Sequence, residues 1–558
     1  MNQKKAKIAY FSAEIGMSAD LPTYSGGLGV LAGDHIKAST DANLPIVAIS
    51  LLYKEGYFKQ QLDELGNQSE TYPRFNFNTN LNKLSEKFKI TLRNRDVWVG
   101  VYEYIHKGES GQKTSIYFLD TDLEENIYED RTISLRLYSG DQDHRILQEA
   151  LLGFGGIYLL EMLKYENIMT YHMNEGHCSF LTLALLKKFK GDINRVRSLC
   201  HFTTHTPVPA GHDHFSIDRS KKILGELLPE KLNLPSWISD NRLHMTELGL
   251  YFSRSANGVS ELHGEVADNQ FPEFSIDYIT NGIYHPYWLG KSFQGLFDSK
   301  LPGWRIDPSL LLNLNNISDD ELKSAHLNQK NILLEYAGKQ SSKILSSDIL
   351  TIGFARRAAE YKRARLIFSN LEKLIEIGQG KIQIIFSGKA HPKDDKGKSI
   401  IKGIFKDANK LKDSIEIIFL ENYNMRLGQM ITSGVDVWLN TPLRPNEASG
   451  TSGMKAALNG IPNLSILDGW WAEGCNHDKN GWAIGSADFC DNESDAKSLY
   501  DLIENKVIPT FYENHKKWID IMRNSIKTSI DFTAHRMIAE YNEHFYKFDK
   551  EKNLTSIK

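Results

Sequence analysis

Between residues 349 and 468 five short apolar runs recur: "ILTIGFA" (349–355), "KIQIIFSG" (381–388), "SIEIIFLE" (414–421), "VDVWLNT" (435–441) and "IPNLSILD" (461–468). Most are followed by a segment of helix length. Near-continuous apolar runs suit strands covered on both faces, and their alternation with helices predicts a parallel sheet wound with helices on either side. In such sheets ligands gather where strand C-termini meet helix N-termini, which restricts where chemistry is to be sought.

The first half begins in the same way. "KIAYFSAE" reads as a strand, "TYSGGLGVLAGDHIKAST" as a turn running into a helix, and "PIVAISLLY" as a second strand. A chain of 558 residues is too long for one core. The expected architecture is therefore α/β: a wound domain over 1–335 carrying the glycine loop and further polar loops, a second over 336–505, and helices over 506–558 packing back across both. Residues 317–340 open with acidic side chains and predict a helix connecting the halves.

Charge is nearly balanced, 66 basic against 70 acidic residues, so nothing draws the whole chain to nucleic acid or an anionic membrane. An anion site must be local. Four cysteines show neither C-x-x-C spacing nor a disulfide framework, which fits a reducing compartment. No run approaches the roughly 18 apolar residues of a membrane span, and the N-terminal apolar run is too short for a signal peptide. A cytoplasmic protein is the expectation.

Several stretches could carry chemistry. Gly26, Gly27 and Gly29 open a helix whose free amides favour an anion, although tight packing explains glycines there equally well. In "GFARRAAEYKRARL" (353–366), Arg356 and Arg357 fall at a strand's C-terminal end, where guanidinium groups suit bidentate capture of phosphate. A helix is expected from about Glu360 to Ile377, with Glu360 pairing with Arg356 or Arg363 on one face. His201 and His205 in "HFTTHTPVPAGHDHF" (201–215) lack the companions of a zinc site, and no metal is expected. "HMNEGHCSF" (172–180) and "ITNGIYHPYWLG" (279–290) combine amide, carboxylate and aromatic groups suited to sugar hydroxyls and ring faces. In "NEASGTSGMKAALNG" (446–460) the plain reading is a turn before a helix with Lys455 solvated. The alternative is that the amides of Ser449 to Gly453 cradle an anion while Lys455 does covalent work.

Taken together, "AYFSAEIGM", "SGGLG", "NEGH", "HTPVP", "NGVSELHG", "NGIYHPYWL", "RRAAEYKR", "SGKAHP", "ENYNMRLG" and "EASGTSGMKAALN" resemble, in this order, the pyridoxal-phosphate-dependent α-glucan (glycogen, starch and maltodextrin) phosphorylases. The likeness spans residues 7–470 and points to a short, bacterial-type member. It implies the GT-B glycosyltransferase fold, two facing Rossmann-like domains with the catalytic cleft between them. It implies phosphorolysis of α-1,4-glucan ends by inorganic phosphate, giving α-D-glucose 1-phosphate with retained configuration.

By the same resemblance Lys455 would carry pyridoxal 5'-phosphate, whose phosphate assists proton transfer and meets Thr451, Ser452, Arg356 and Tyr423. Arg357, Lys362 and the amide of Gly27 would hold the reactant phosphate. Glu447, Ser449, Gly450, Asn281 and Leu28 would contact substrate, with His205 near the glucosyl 6-hydroxyl. A homodimer is compatible with the family.

Departures are visible. The chain begins almost at its first strand, so regulation through the longer members' N-terminal extension is not expected. Arg356 stands where long members carry lysine, Gly16 where they carry tyrosine, and Ser452-Gly453 where Gly-Asn is usual. Trp470 and Trp471 of "LDGWWAEG" are either an acceptor platform or core. Two rivals are a synthase using a nucleotide sugar on the same fold, and a glucan-binding protein without turnover.

Overall fold

The computed structural model describes residues 5–208, 211–229 and 238–548. The chain gathers into two compact units. One is drawn from the residues up to Phe58, Tyr72–Thr280 and the chain from Met537; the other from Lys59–Thr71 and Asn281–Arg536.

Among the described residues the first unit holds a nine-stranded sheet. Its spatial order is Ile276–Tyr278, Ser255–Gly258, Cys200–Thr203, Thr170–Asn174, Ile8–Ser12, Ile46–Leu51, Lys113–Asp120, Arg95–Lys107 and Asn82–Leu92. Neighbours run parallel as far as Lys113–Asp120, and the last two strands are antiparallel. The central strands Ile8–Ser12 and Ile46–Leu51 are buried throughout, as their unbroken apolar runs require. Helix Gly27–Asp41 follows the first strand. A Cβ at Gly33 would lie 1.9 Å from the carbonyl oxygen of Gly16, so a glycine is needed where this helix meets the strand's exit.

The second unit holds six parallel strands in the order Glu416–Leu420, Ile382–Ser387, Leu350–Ala355, Val437–Asn440, Asn463–Ile466 and Gly481–Ile484. Counted along the sequence this order is 3-2-1-4-5-6, the doubly wound arrangement whose switch point lies between the first and fourth strands. Five of the strands are the five apolar runs; the sixth, Gly481–Ile484, offers only three apolar residues in a row and so does not announce itself.

The units divide elsewhere than at residue 335. Helix Asp319–Ser341, started by a capping box between Ser318 and Glu321, belongs wholly to the second unit. Its His326 and Lys330 reach buried Asp436 at 2.8 and 2.5 Å, just ahead of the strand Val437–Asn440. The hairpin Lys59–Leu62/Gln68–Thr71 also belongs there, through Gln60 Nε2 donating to Gly388 O and Gln68 Nε2 to Ala390 O, each 2.9 Å. The terminal helices are shared out. His515–Ser529 packs on helix Thr451–Leu458 of the second unit. Tyr546, in the segment Asn542–Tyr546, meets His35 Nε2 at 2.8 Å and His172 Nδ1 at 2.6 Å in the first.

The continuous helix expected from Glu360 is not formed. Glu360–Lys362 and Leu366–Phe368 are single 3-10 turns, Arg363 between them is left-handed (φ 46°), and the α-helix starts only at Leu371. Tertiary bonds override the helical pattern: Arg363 donates from Nε to Thr441 O and from Nη2 to Pro442 O, and pairs with Asp495 at 2.7 Å. Glu360 pairs with Lys396, not with Arg356 or Arg363.

Candidate active site

Arg356 leaves the C-terminal end of strand Leu350–Ala355, and Asn440 closes strand Val437–Asn440, so the two flank the switch point of the second unit's sheet. Arg356 Nη1 donates to Asn440 Oδ1, and its Nη2 lies 2.5 Å from Glu447 Oε2. Lys362 Nζ donates to the same oxygen at 2.5 Å. All three ionic groups are buried. Burial would raise the Glu447 carboxyl, but the charges of Arg356 and Lys362 outweigh it and hold the group below its ordinary value. Arg357, the next residue, is exposed and has neither hydrogen bond nor ion pair among the described residues.

After Glu447 the chain turns through Gly450 (φ 82°), a left-handed position suited to glycine, into helix Thr451–Leu458. No side chain caps that helix, and Thr451 and Ser452 form its first positions. Ser449 Oγ is buried without a hydrogen-bond partner. Lys455 is not solvated: it is 7% exposed, with Nζ 3.6 Å from the centroid of the Trp288 ring. Asn459 ties this helix to the loop holding Trp288, since its Nδ2 donates to Trp288 O and Lys455 O while its Oδ1 accepts from Gly290 N. The motifs "KAALN" and "YWLG" thus form one structure.

Tyr423 stands within the electrostatic reach of Arg356; burial pushes its phenol up to about 12, with the Arg356 charge opposing. Asn281 is buried, and its Oδ1 has no partner. Trp470 and Trp471 are each 1% exposed, which makes them core.

The remaining expected residues belong to the first unit. Gly26 and Gly27 open the helix Gly27–Asp41, and a Cβ on either would meet nothing within 4 Å, so packing does not explain them. At Gly29 packing does, because a Cβ would lie 2.6 Å from Glu14 Oε2. Leu28 is half-buried beside them. His205 Nε2 meets Asn174 Oδ1 at 2.6 Å, and its backbone amide donates to Glu175 Oε2 at 2.8 Å. Burial lowers its imidazole to about 4 against the pull of Glu175. His201 lies within strand Cys200–Thr203, bonded to Ser255 and Asn257. Pro209 and Ala210 of the same stretch lie outside the described residues.

Three carboxylates escaped the sequence reading. Glu14 accepts the amides of Ser25 and Gly26 and the Tyr138 hydroxyl, which fixes the glycine loop. Glu175 holds His205 and the Thr206 hydroxyl. Asp468, fully buried, accepts the Glu447 amide at 2.9 Å. Its one sequence signal is its place just beyond a strand's C-terminal end. Among the described residues no group of three or more His, Cys, Asp or Glu side chains is arranged to hold a metal ion, and no helix is long and apolar enough to cross a membrane.

The family model "Carbohydrate phosphorylase" matches residues 196–476. Maltodextrin phosphorylase of Thermococcus litoralis is 40% identical over 97% of this chain and 70% of its own length. Glycogen phosphorylases of Aquifex aeolicus and Mycobacterium tuberculosis are each 36% identical over 97% of this chain, and over 86% and 70% of their own lengths. A family model over half of the chain, together with relatives 36–40% identical over 97% of it, shows that the chain belongs to the carbohydrate phosphorylase family.

Proposed function

We propose that this chain is a glucan phosphorylase that transfers the non-reducing glucosyl unit of an α-1,4-glucan to inorganic phosphate, releasing α-D-glucose 1-phosphate with retention. The observation that carries this reading is the convergence of Arg356 and Lys362 on buried Glu447, beside the helix bearing Lys455. The names of the relatives support it.

The reaction brings phosphate against a sugar whose anomeric carbon becomes cationic, and whose leaving oxygen must gain a proton. Positive charge is needed to hold phosphate, and a carboxylate to balance both that charge and the sugar. Arg356, Arg357 and Lys362 supply the first. Arg357, being exposed and unpaired, is the cation able to take a new anion without breaking a bond. Glu447 supplies the second. It sits between the cations and the turn of Ser449 and Gly450, which with Asn281 would present a hydroxyl, an amide and a carboxamide to the glucosyl unit. Gly27, Leu28 and His205 are assigned substrate contacts through the family resemblance, as are a homodimer, a cytoplasmic location and the GT-B class.

The residues present fit pyridoxal 5'-phosphate. Lys455 is a buried amine against an aromatic ring, Thr451 and Ser452 begin an uncapped helix, Arg356 flanks the switch point, and Tyr423 stands within reach of the Arg356 charge. When bound, the cofactor supplies a phosphate monoester whose second pKa of about 6 suits proton exchange near neutrality. Lys455 would anchor it, while Arg356 and the helix amides would hold its phosphate. Two singly charged groups 4 Å apart repel by about 4 kcal/mol at an effective dielectric of 20, which is why several cations are required.

The test is incubation of maltodextrins of graded length with and without inorganic phosphate. Glucose 1-phosphate formed only with phosphate is the expected result; no sugar phosphate from any length would overturn the proposal. Borohydride reduction followed by peptide mapping should place the cofactor on Lys455, and a label on another lysine would remove that assignment.

A further inference from the structure

We propose that Asp468 is a positioning residue for Glu447, clamping the sugar-facing turn so that the Glu447 carboxylate stays between Arg356 and Lys362. This inference rests on the phosphorylase reading above and adds a residue to it. The clamp has two points. Asp468 Oδ2 accepts the Glu447 amide and Oδ1 accepts the Gly469 amide, both at 2.9 Å. Two residues on, Trp470 N donates to Ser449 O at 2.8 Å. Gly469 between them has φ 53°, and a Cβ there would lie 2.5 Å from Ser449 O, so the turn 468–470 lies directly against the segment 447–449.

A carboxyl group suits this place better than an amide, because both of its oxygens keep acceptor capacity whether or not one carries a proton. Both bonds run from backbone N–H groups to separate oxygens, whereas asparagine offers one oxygen and would point its NH2 at the second donor. Asp468 also belongs to the charged group itself. Burial and then the Glu447 charge raise it to about 7, with Lys362 opposing, so two carboxylates and two cations share one buried pocket. The clamp therefore sets both where the Glu447 backbone sits and how much negative charge faces the cations.

The experiment compares the wild type with Asp468→Asn, Glu447→Gln and the double variant in the phosphate-dependent assay, alongside carboxyl-band infrared titration. Asp468→Asn is expected to lower kcat/KM by about 10- to 100-fold, the range for losing one hydrogen bond to a charged group. The double variant should be no worse than the weaker single one, because both changes act through the same carboxylate. The carboxyl titrating near neutrality should vanish in Asp468→Asn and move to lower pH in Glu447→Gln, which leaves Asp468 in place. Losses that multiply in the double variant, or a titration unmoved by Glu447→Gln, would overturn the assignment. Should Asp468→Asn fail to fold, the Glu447→Gln titration decides alone. A wild type without phosphate-dependent product, yet with the titration shifted as expected, would sink the phosphorylase reading and leave the coupling of the two carboxylates standing.

Discussion

Arg356 and Arg357 are adjacent in sequence and opposite in surroundings, so Arg356→Ala should lose stability as well as chemistry, and Arg357→Ala chemistry alone. Arg356 is 9% exposed and pairs with buried Glu447 at 2.5 Å. Its removal leaves Glu447 facing Lys362 alone, and breaking a buried pair costs about 3–5 kcal/mol. Because one counter-charge survives, the cost should fall near the lower figure. For a unit of about 270 residues, about 3 kcal/mol corresponds to a Tm lower by roughly 6–12 °C.

Arg357 is exposed and strands no partner, so Arg357→Ala should melt within about 0.5 kcal/mol of the wild type. Its cost appears in turnover. Removing one donor from a site of developing negative charge lowers kcat by about 100- to 1000-fold. The assay is thermal unfolding beside initial rates over a grid of phosphate and maltodextrin concentrations, with the loss expected on the phosphate axis. An Arg357→Ala protein that melts like Arg356→Ala, or keeps its phosphate dependence unchanged, would refute this reasoning.

Asn459→Ala should destabilise the protein by about 1–3 kcal/mol and loosen Lys455, because Gly290 N would lose its buried acceptor and the tie from Asn459 Nδ2 to Trp288 O would be cut; thermal unfolding and cofactor retention on gel filtration measure both. Gly33→Ala forces a methyl into the Gly16 carbonyl and should cost at least about 1–3 kcal/mol, read by denaturant titration, whereas Gly27→Ala should leave stability nearly unchanged. The two site carboxylates predict opposite pH trends. Glu447 lies below its ordinary value, so its contribution is full above the usual carboxylate range and fades as pH falls through its depressed pKa. Asp468 is raised to about 7, so its protonated form favours the fold and that advantage is lost as pH rises through 7. Relative to Asp468→Asn, wild-type Tm should therefore decline between pH 5 and 8; a constant difference would contradict the assignment.

Residue order alone determined the parts of this protein whose signal is local. Five apolar runs became five parallel strands because a strand buried on both faces must be apolar along its whole length. The helix expected over 317–340 was legible because an acidic first turn is a local signal. The signature around Lys455 and the arginines after the first strand were legible for the same reason.

Tertiary structure decided whatever depends on distant partners. It broke the helix expected after Glu360, because Arg363 finds carbonyls and a carboxylate more than seventy residues away. It assigned helix Asp319–Ser341 and the hairpin at residues 59–71 to the second unit through buried polar bonds that no local pattern encodes. It also brought Asp468 against Glu447. A carboxylate's role follows from the charges and amides that surround it, and only the folded chain supplies those.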